Sequence, residues 1–371
     1  MKHPIGIDRR RFVQMLGTTA LLRSVGGRFG WVASLGAATR TARFAYVGGE
    51  QGIHVYSIAA DERFIKQQMM ASAHPVAMAI SDDHLYVANG VSEFGSLPRG
   101  SVEAYGIDPA TGRLEFKNRA PLSLSGISPR DLAVARDGRS VVVALHGGGA
   151  YNVLSIVEDG RLGRVLGILK ETGSGPHALQ ACAHPAVVMF DREGRVLTAD
   201  QGSDKLSVFS LSNGELTVAG RCEVTAGSGP SSMVLDPDSK RLYVAHALNG
   251  SVSSFGYDAT LGRILDRTQT VRASVAGERA ALAMHPSGET LFSSHGDGVQ
   301  AWKIAANGSL ATLPGVEGVQ AKTLHVTADG KSLLALGSDA VLRMKIDSGA
   351  RVLAAPVQVA ALSKPVSIAI L

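Results

Sequence analysis

The side chains that could carry chemistry in this 371-residue chain are imidazoles, a carboxylate and several cations. A neutral imidazole can take a proton from water near pH 7, and a guanidinium or ammonium group can stabilise the oxyanion that forms at a carbonyl carbon. Together these groups can add water to an activated carbonyl. The candidates for such a site are His184, His246, Arg130, Asp200, Arg279, Lys322 and His295.

Other catalytic signatures are missing from the sequence. It contains no Gly-x-Ser-x-Gly elbow, no phosphate-binding loop, no dinucleotide glycine fingerprint and no Cys-x-x-Cys pair. We therefore predict no cofactor. Metal binding by His184, His246 and His295 with Asp200 is an alternative, but ligands scattered so widely along a chain are a weak signal for a metal site.

A repeating unit has to position these side chains, because they are distant in sequence. In its clearest copy, KRLYVAH at residues 240–246 is followed by NGSVSSF at 249–255 and TLGR at 260–263. Residues 84–113 repeat the pattern with HLYVAN, GSVEAY and TGR. The repeat spacing of 40 to 56 residues is typical of four-stranded propeller blades. The same strand recurs around Tyr46, Tyr86, Val142, Leu197, Tyr243, Phe292 and Leu333.

The pattern predicts an all-β fold, a seven-bladed β-propeller of four-stranded antiparallel blades in a single domain over residues 42–371. The 43 glycines and the alternation of apolar and polar residues favour short strands joined by tight turns. The body begins on a second (B) strand at Arg43 and ends on a first (A) strand at residues 364–370. The last strand can therefore complete the first blade and close the ring.

In such a ring, the loops that lead into A strands and the loops that leave B strands emerge on one face, around the central channel. We call this face the channel mouth. The sequence predicts a polar funnel there, because side chains from different blades converge. Arg130, His184, Arg279 and Lys322 lie where A strands begin, and Asp200, His246 and His295 lie where B strands end.

Five stretches of the body carry a family resemblance: DPATGRL at 108–114, GGG at 147–149, EDGRL at 158–162, VLTADQGSDKL at 196–206 and GSGP at 227–230. The chain resembles the lactonase family of seven-bladed propellers, which includes 6-phosphogluconolactonases and carboxymuconate cyclases. The resemblance covers the body from about residue 42. These stretches are mainly repeat features, so they specify the family better than the activity.

Several functional positions differ from that family. The family usually carries a His-x-His pair before the A strand of the Asp-x-Gly-x-Asp blade, whereas Cys182-Ala183-His184 retains only the second histidine. The other differences are Ser231-Ser232 in place of Arg-His, His246-Ala247 in place of Asn-Glu, and Leu179 and Lys322 in place of arginines.

The resemblance implies a hydrolase that opens a sugar or aldonic lactone, with His184 as the base and His246 sharing that role. Arg130, Arg279 or Lys322 would stabilise the oxyanion, and Asp200 and His295 would help to bind the substrate. The partner is then a small-molecule lactone or sugar acid, and we expect a monomer. Because the family acid and arginine are replaced, a non-catalytic propeller that senses a ligand or binds a protein is the alternative.

The charge of the chain is concentrated at its N-terminus. Residues 1–41 contain seven basic side chains against Asp8 alone, which accounts for the net charge of +5 and leaves the body near neutral. A near-neutral body has no basic surface for binding nucleic acid.

The N-terminus resembles a twin-arginine signal, because Arg9-Arg10-Arg11-Phe12 precedes an apolar run. We therefore expect export to the periplasm, or a cytoplasmic protein if the leader is not a signal. No uncharged apolar run is long enough to predict a membrane span.

The two cysteines allow two interpretations. Cys182 and Cys222 could form a disulfide after export. Cys222 alternates with Val224 in a predicted outer strand, which favours a small core residue instead.

Overall fold

The computed structural model describes residues 43–274, 276–277, 280–296, 298–347 and 355–371. In these residues the regular secondary structure consists of 28 strands, arranged as seven four-stranded antiparallel sheets. The predicted leader, residues 1–41, lies outside them. No helix of the described residues is long and apolar enough to cross a membrane.

The first four blades follow one another along the chain. Blade 1 contains β1 (Arg43–Gly49), β2 (Gly52–Ile58) and β3 (Phe64–Met70). Blade 2 contains β4 (Pro75–Ser81), β5 (His84–Asn89), β6 (Ser101–Ile107) and β7 (Leu114–Pro121). Blade 3 contains β8 (Pro129–Val134), β9 (Ser140–Leu145), β10 (Ala150–Ile156) and β11 (Leu162–Lys170). Blade 4 contains β12 (Pro185–Phe190), β13 (Val196–Asp200), β14 (Lys205–Ser212) and β15 (Glu215–Glu223).

The remaining strands form three further blades and a closing strand. Blade 5 contains β16 (Pro230–Leu235), β17 (Arg241–His246), β18 (Ser251–Asp258) and β19 (Arg263–Arg272). Blade 6 contains β20 (Leu282–Met284), β21 (Thr290–His295), β22 (Gly298–Ile304) and β23 (Leu310–Glu317). Blade 7 contains β24 (Thr323–Val326), β25 (Ser332–Leu336), β26 (Ala340–Lys345) and β27 (Val357–Ala361). The closing strand is β28 (Ser367–Ile370).

The two ends of the body meet in blade 1. β28 pairs antiparallel with β1, with Ala45 opposite Ile370 and Gly48 opposite Ser367. Ser367 Oγ also donates a hydrogen bond of 2.6 Å to Pro75 O in blade 2. The innermost strands of successive blades contact one another around the ring, from β28 through β4, β8, β12, β16, β20 and β24 back to β28. This confirms the predicted seven-bladed propeller and its closure by the C-terminal strand.

The tyrosines that marked the repeat in the sequence join neighbouring blades. They stand in B strands, and their hydroxyl groups donate to glycine carbonyls in the outer hairpin of the next blade. Each such buried bond contributes about 1 kcal/mol to stability. A side chain at Gly112 would overlap the Phe44 ring, which explains the glycine in the TGR motif of that hairpin. The bonds are Tyr46 to Gly112 at 3.0 Å, Tyr86 to Gly160 at 3.0 Å and Tyr243 to Gly308 at 3.3 Å.

A proline and an irregular pairing mark the start of four innermost strands. Pro75, Pro129, Pro185 and Pro230 each pair with the B strand, and the residue after each proline is skipped in the register. Proline is tolerated at the first residue of a strand because it has no N–H to donate. The skipped residue forms a bulge, which changes the direction of its side chain at the channel mouth.

The register positions opposite these prolines are enclosed between blades. One residue further along, His146 and Gln201 are only half-buried. In blades 3 and 4 a shift of one residue therefore separates an enclosed side chain from a more accessible one. The enclosed residues are Asn89, Leu145, Asp200 and His246, which are 0, 0, 4 and 1% exposed.

Candidate functional site

Asp200 fixes the backbone at the channel mouth of blade 4. Its Oδ1 accepts hydrogen bonds from the backbone N–H groups of His184 at 2.8 Å, Gly202 at 2.9 Å and Ser203 at 3.0 Å. His184 directly precedes β12, and Asp200 is the last residue of β13. The carboxylate thus holds the segment before the innermost strand against the turn that leaves the next strand. In addition, Gln201 N–H donates to His184 O at 3.0 Å.

The His184 ring has a defined orientation. Its Nδ1 lies 2.9 Å from His146 O, and its ring stacks on the His146 ring with centroids 4.7 Å apart and planes inclined by 18°. A carbonyl oxygen can only accept, so Nδ1 carries a proton and Nε2 holds the lone pair of the neutral ring. The half-buried His184 therefore presents a proton acceptor, as a general base requires.

Cys182 lies on the Nε2 side of this ring. Its Sγ is 3.7 Å from His184 Nε2, and the cysteine is exposed. Gly202 packs beneath the pair, because a Cβ there would overlap Cys182 O and lie 2.8 Å from His184 Cδ2. Cys222 lies half-buried in β15. Both cysteines are free thiols and do not form a disulfide. We call Cys182, His184, His146 and Asp200 the blade 4 cluster.

Glu171 is a second carboxylate, and its pKa is affected by burial and by the charge of Asp200. Burial raises the pKa of Glu171, and the negative charge of Asp200 adds to the rise. Arg221 opposes it, because Arg221 Nη2 lies 3.2 Å from both Glu171 carboxylate oxygens. Burial also raises the pKa of the enclosed Tyr151 hydroxyl well above its usual range.

Arg130 stands at the bulge of β8 in the neighbouring blade and is half-buried. The next residue, Asp131, connects the two blades, because its Oδ2 accepts a hydrogen bond of 2.9 Å from Val188 N–H in β12. Its Oδ1 accepts from Leu132 N–H at 3.0 Å. Arg130 therefore lies beside a residue that is held in place, on the blade next to the blade 4 cluster.

His246 differs from the accessible base that the sequence suggested. The ring is 1% exposed, and its Nε2 lies 3.0 Å from Ser253 Oγ, which in turn lies 2.9 Å from Thr270 Oγ1. Burial lowers the pKa of His246 to about 4, with a smaller opposing effect of Asp204 and a smaller reinforcing effect of Arg267. The residue is enclosed because it is opposite Pro230, at the register position that faces the adjacent blade.

His295 and Lys322 line one cavity. It has a volume of about 470 Å³ and lies between blades 6 and 7 at the channel mouth. His295 is half-buried at the end of β21, and Lys322 is exposed just before β24. Gln320 and Ser338 add an amide and a hydroxyl group to the lining. Arg279, the remaining predicted cation, lies outside the described residues.

The predicted site residues thus lie at different positions of the propeller and do not form one cluster. The structure brings His184 together with Asp200, and His295 together with Lys322, while His246 of blade 5 is enclosed between blades and contacts Ser253. Across the described ranges, no three His, Cys, Asp or Glu side chains are grouped so that they could hold a metal ion.

Two contacts of His184 could not be predicted from the family resemblance. The resemblance marks Cys182 as a replaced histidine and does not pair its thiol with His184. It also gives no sign that the His146 ring stacks on His184. The Cys-x-His spacing was visible in the sequence, whereas the approach of His146 from blade 3 was not.

Comparison with known proteins agrees with this architecture. The family description "Lactonase, 7-bladed beta-propeller" matches residues 34–369. The chain belongs to this lactonase family. It is 28% identical to 6-phosphogluconolactonase of Bacillus subtilis over 218 residues, which cover 58% of this chain and 61% of that relative. It is 25% identical to 6-phosphogluconolactonase of Erwinia tasmaniensis over 297 residues, or 77% of this chain and 84% of that protein.

Solved structures show the same fold. The periplasmic gluconolactonase of Pseudomonas aeruginosa superposes with a TM-score of 0.79 at 21% identity, covering 89% of this chain and 99% of that chain. A Lactobacillus plantarum protein superposes with a TM-score of 0.80 at 20% identity, with 89% and 99% covered. At these identities the likeness concerns the propeller itself.

Proposed function

We propose that this protein is a lactone hydrolase acting on a sugar or aldonic lactone, with His184 as the general base at the channel mouth. Membership of the lactonase family supports the reaction class. The observation that carries the assignment of the base is the His184 ring itself, whose Nδ1 is bound to His146 O so that Nε2 is the proton acceptor. Asp200 holds the same residue by its backbone N–H.

In this proposal His184 Nε2 takes the proton of the nucleophile as it adds to the lactone carbonyl, and it returns a proton to the ring oxygen as the ring C–O bond breaks. Arg130 is proposed to stabilise the oxyanion, since it stands at the channel mouth of the adjacent blade, at the bulge of β8. Lys322 and His295, with Arg279, are proposed to bind the polar or anionic end of the substrate. The cavity that Lys322 and His295 share supports this role.

Two predicted roles change in the proposal. We assign the base function to His184 alone, because His246 is enclosed and its low pKa makes it a weak base. Asp200 is given a positioning role, because its Oδ1 is engaged by three backbone donors.

We also propose that residues 1–41 are a twin-arginine leader and that the mature protein is periplasmic. Its location bears on the substrate. A phosphorylated sugar lactone made in the cytosol would not be available to an exported enzyme, whereas an unphosphorylated sugar or aldonic lactone would be. The resemblance in fold to a periplasmic gluconolactonase is compatible with this choice.

The test is a pH-stat measurement of lactone opening with glucono-δ-lactone and its 6-phosphate. We expect His184→Ala to lose on the order of a hundred- to ten-thousand-fold in kcat/KM, as removal of a general base does. The matched control is His74→Asn, because His74 precedes Pro75 just as His184 precedes Pro185. Asparagine is chosen because His74 has a φ of 51°, which asparagine tolerates well.

The outcomes separate the alternatives. Equal activity of His184→Ala and the wild type would reject His184 as the base. A wild type that opens neither lactone but binds gluconate in calorimetry would identify a ligand-sensing propeller instead, as the replaced family positions Ser231, Ser232 and Ala247 would allow.

A further inference from the structure

A thiol and an imidazole meet directly before β12. Cys182 Sγ and His184 Nε2 are 3.7 Å apart, within reach of a hydrogen bond to sulfur. The thiol is exposed, so a substrate can approach it, while the imidazole is half-buried. A nucleophile within hydrogen-bond reach of a base is the arrangement that activates a cysteine.

The imidazole is oriented as such a base must be. Nδ1 donates to His146 O at 2.9 Å, which leaves the lone pair of the neutral ring on Nε2, the atom that faces the thiol. The stacked His146 ring limits rotation of the His184 ring. Three groups are thus linked by two contacts: the Cys182 thiol is the nucleophile, His184 is the base, and His146 O is the acceptor that orients the base.

The backbone of this pair is held on both sides. His184 N–H donates to Asp200 Oδ1, and His184 O accepts from Gln201 N–H. Gly202 allows the close approach, because any side chain there would overlap Cys182 O. The short distance between thiol and imidazole is therefore set by a fixed segment, which is the preorganisation that catalysis needs.

A second observation at this cluster points to a ligand. Asp200 is 4% exposed, and among the described residues no donor reaches its second carboxylate oxygen, Oδ2. A buried acceptor of this kind is normally satisfied by a hydrogen-bond donor. A small hydroxyl donor, such as one bound water molecule, has the required chemistry.

We infer that Cys182 is the nucleophile of the lactone hydrolysis proposed above and that the reaction passes through a thioester on this residue. His184 Nε2 removes the thiol proton, and the Cys182 thiolate adds to the lactone carbonyl carbon. The ring C–O bond then breaks, and the protonated His184 gives its proton to the leaving alkoxide. His184 next takes a proton from water, whose hydroxide adds to the thioester. The C–S bond breaks, and the thiolate recovers the proton, so that the net reaction is addition of one water molecule to the lactone.

Cys222 is a natural internal control, since the sequence contains only these two cysteines. It is half-buried in β15, its Sγ lies 3.6 Å from Glu223 O, and burial raises the pKa of its thiol. A thiol in that setting is a poor nucleophile. Cys222→Ser should therefore retain activity, whereas Cys182→Ser should lose at least about a hundredfold in kcat.

The first experiment traps the intermediate. The full-length protein is mixed with glucono-δ-lactone, quenched in acid within milliseconds and analysed by peptide mass spectrometry. Because ring opening releases no fragment, the thioester adds the whole mass of the lactone, and we expect this mass on the Cys182 peptide alone. A second experiment needs no lactone: iodoacetamide should alkylate Cys182 at pH 6.5 on the order of tenfold faster in the wild type than in His184→Ala, because only the thiolate reacts.

The outcomes distinguish this inference from the function on which it rests. If the wild type opens the lactone, and Cys182→Ser and Cys182→Ala open it as fast while His184→Ala does not, the thioester is refuted and His184 acts on water. If the wild type opens no lactone, the hydrolase proposal fails. The alkylation rate then tests separately whether His184 activates the Cys182 thiol. A rate independent of His184 would refute the activated thiol, and a His184-dependent rate would support it.

Discussion

The enclosed imidazole of His246 should make the protein sensitive to mild acid. Its pKa is lowered from 6.5 to about 4, mainly because burial disfavours the charged ring. The unfolded chain therefore binds a proton at a higher pH than the folded protein does. The contribution of the neutral His246 ring to the free energy of unfolding is complete above about pH 6.5, and it is lost progressively as the pH falls towards about 4.

The size of this loss follows from the interval between the two pKa values. Each pH unit is worth about 1.4 kcal/mol, so an interval from 6.5 to about 4 corresponds to about 3 kcal/mol of the free energy of unfolding. The variant His246→Gln removes the titrating group and keeps a polar atom near the position of Nε2, which contacts Ser253 Oγ. Between pH 7.5 and pH 4, the wild type should lose about 3 kcal/mol more than the variant.

Urea unfolding at a series of pH values measures this difference, because groups elsewhere titrate equally in both proteins and cancel. His295→Gln is the matched control. His295 also ends a B strand but is half-buried, and its variant keeps the enclosed His246 ring, so it should keep the loss of about 3 kcal/mol that this ring causes. The prediction fails if the two free energies of unfolding, of His246→Gln and of the wild type, differ by the same amount within about 0.5 kcal/mol from pH 7.5 to pH 4. The His246 ring would then be protonated as readily in the folded protein as in the unfolded chain.

Two further predictions concern the ends of the chain. Deletion of residues 364–371 removes β28, exposes the edge of β1 and removes the contact of β28 with β4, and it should cause aggregation or loss of cooperative unfolding in calorimetry. An unchanged unfolding midpoint would contradict ring closure by this strand. Replacing Arg9, Arg10 and Arg11 with lysines keeps the charge and should abolish periplasmic export, measured by cell fractionation. Undiminished export would argue against a twin-arginine leader.

Most of the fold could be predicted because its determinants are local and repeated. The strand around Tyr243 and the TGR hairpin around Gly112 carry their own turn and pairing signals, and the repeat spacing is typical of a blade. The offset between the first and last strands predicted ring closure, and the pairing of β28 with β1 confirmed it.

The site was less predictable, because its properties depend on contacts between blades. Topology correctly gathers A-strand beginnings and B-strand ends on one face, but it does not say which side chains are accessible there. His246 and His295 looked alike in the sequence, since both end a B strand. Only the register shows that His246 is opposite Pro230 and enclosed, whereas His295 lines a cavity.

The sequence by itself determined the class of architecture, the number of blades and the family, because strand periodicity and glycine turns act over a few residues. Tertiary structure alone decided the chemistry at the channel mouth. The bulge after Pro129 sets the position of Arg130, and packing of blade 3 against blade 4 brings His146 O to His184. That contact fixes the lone pair on Nε2 and turns it towards Cys182, because hydrogen-bond partners from a neighbouring blade, and not the residue itself, choose the tautomer of an imidazole.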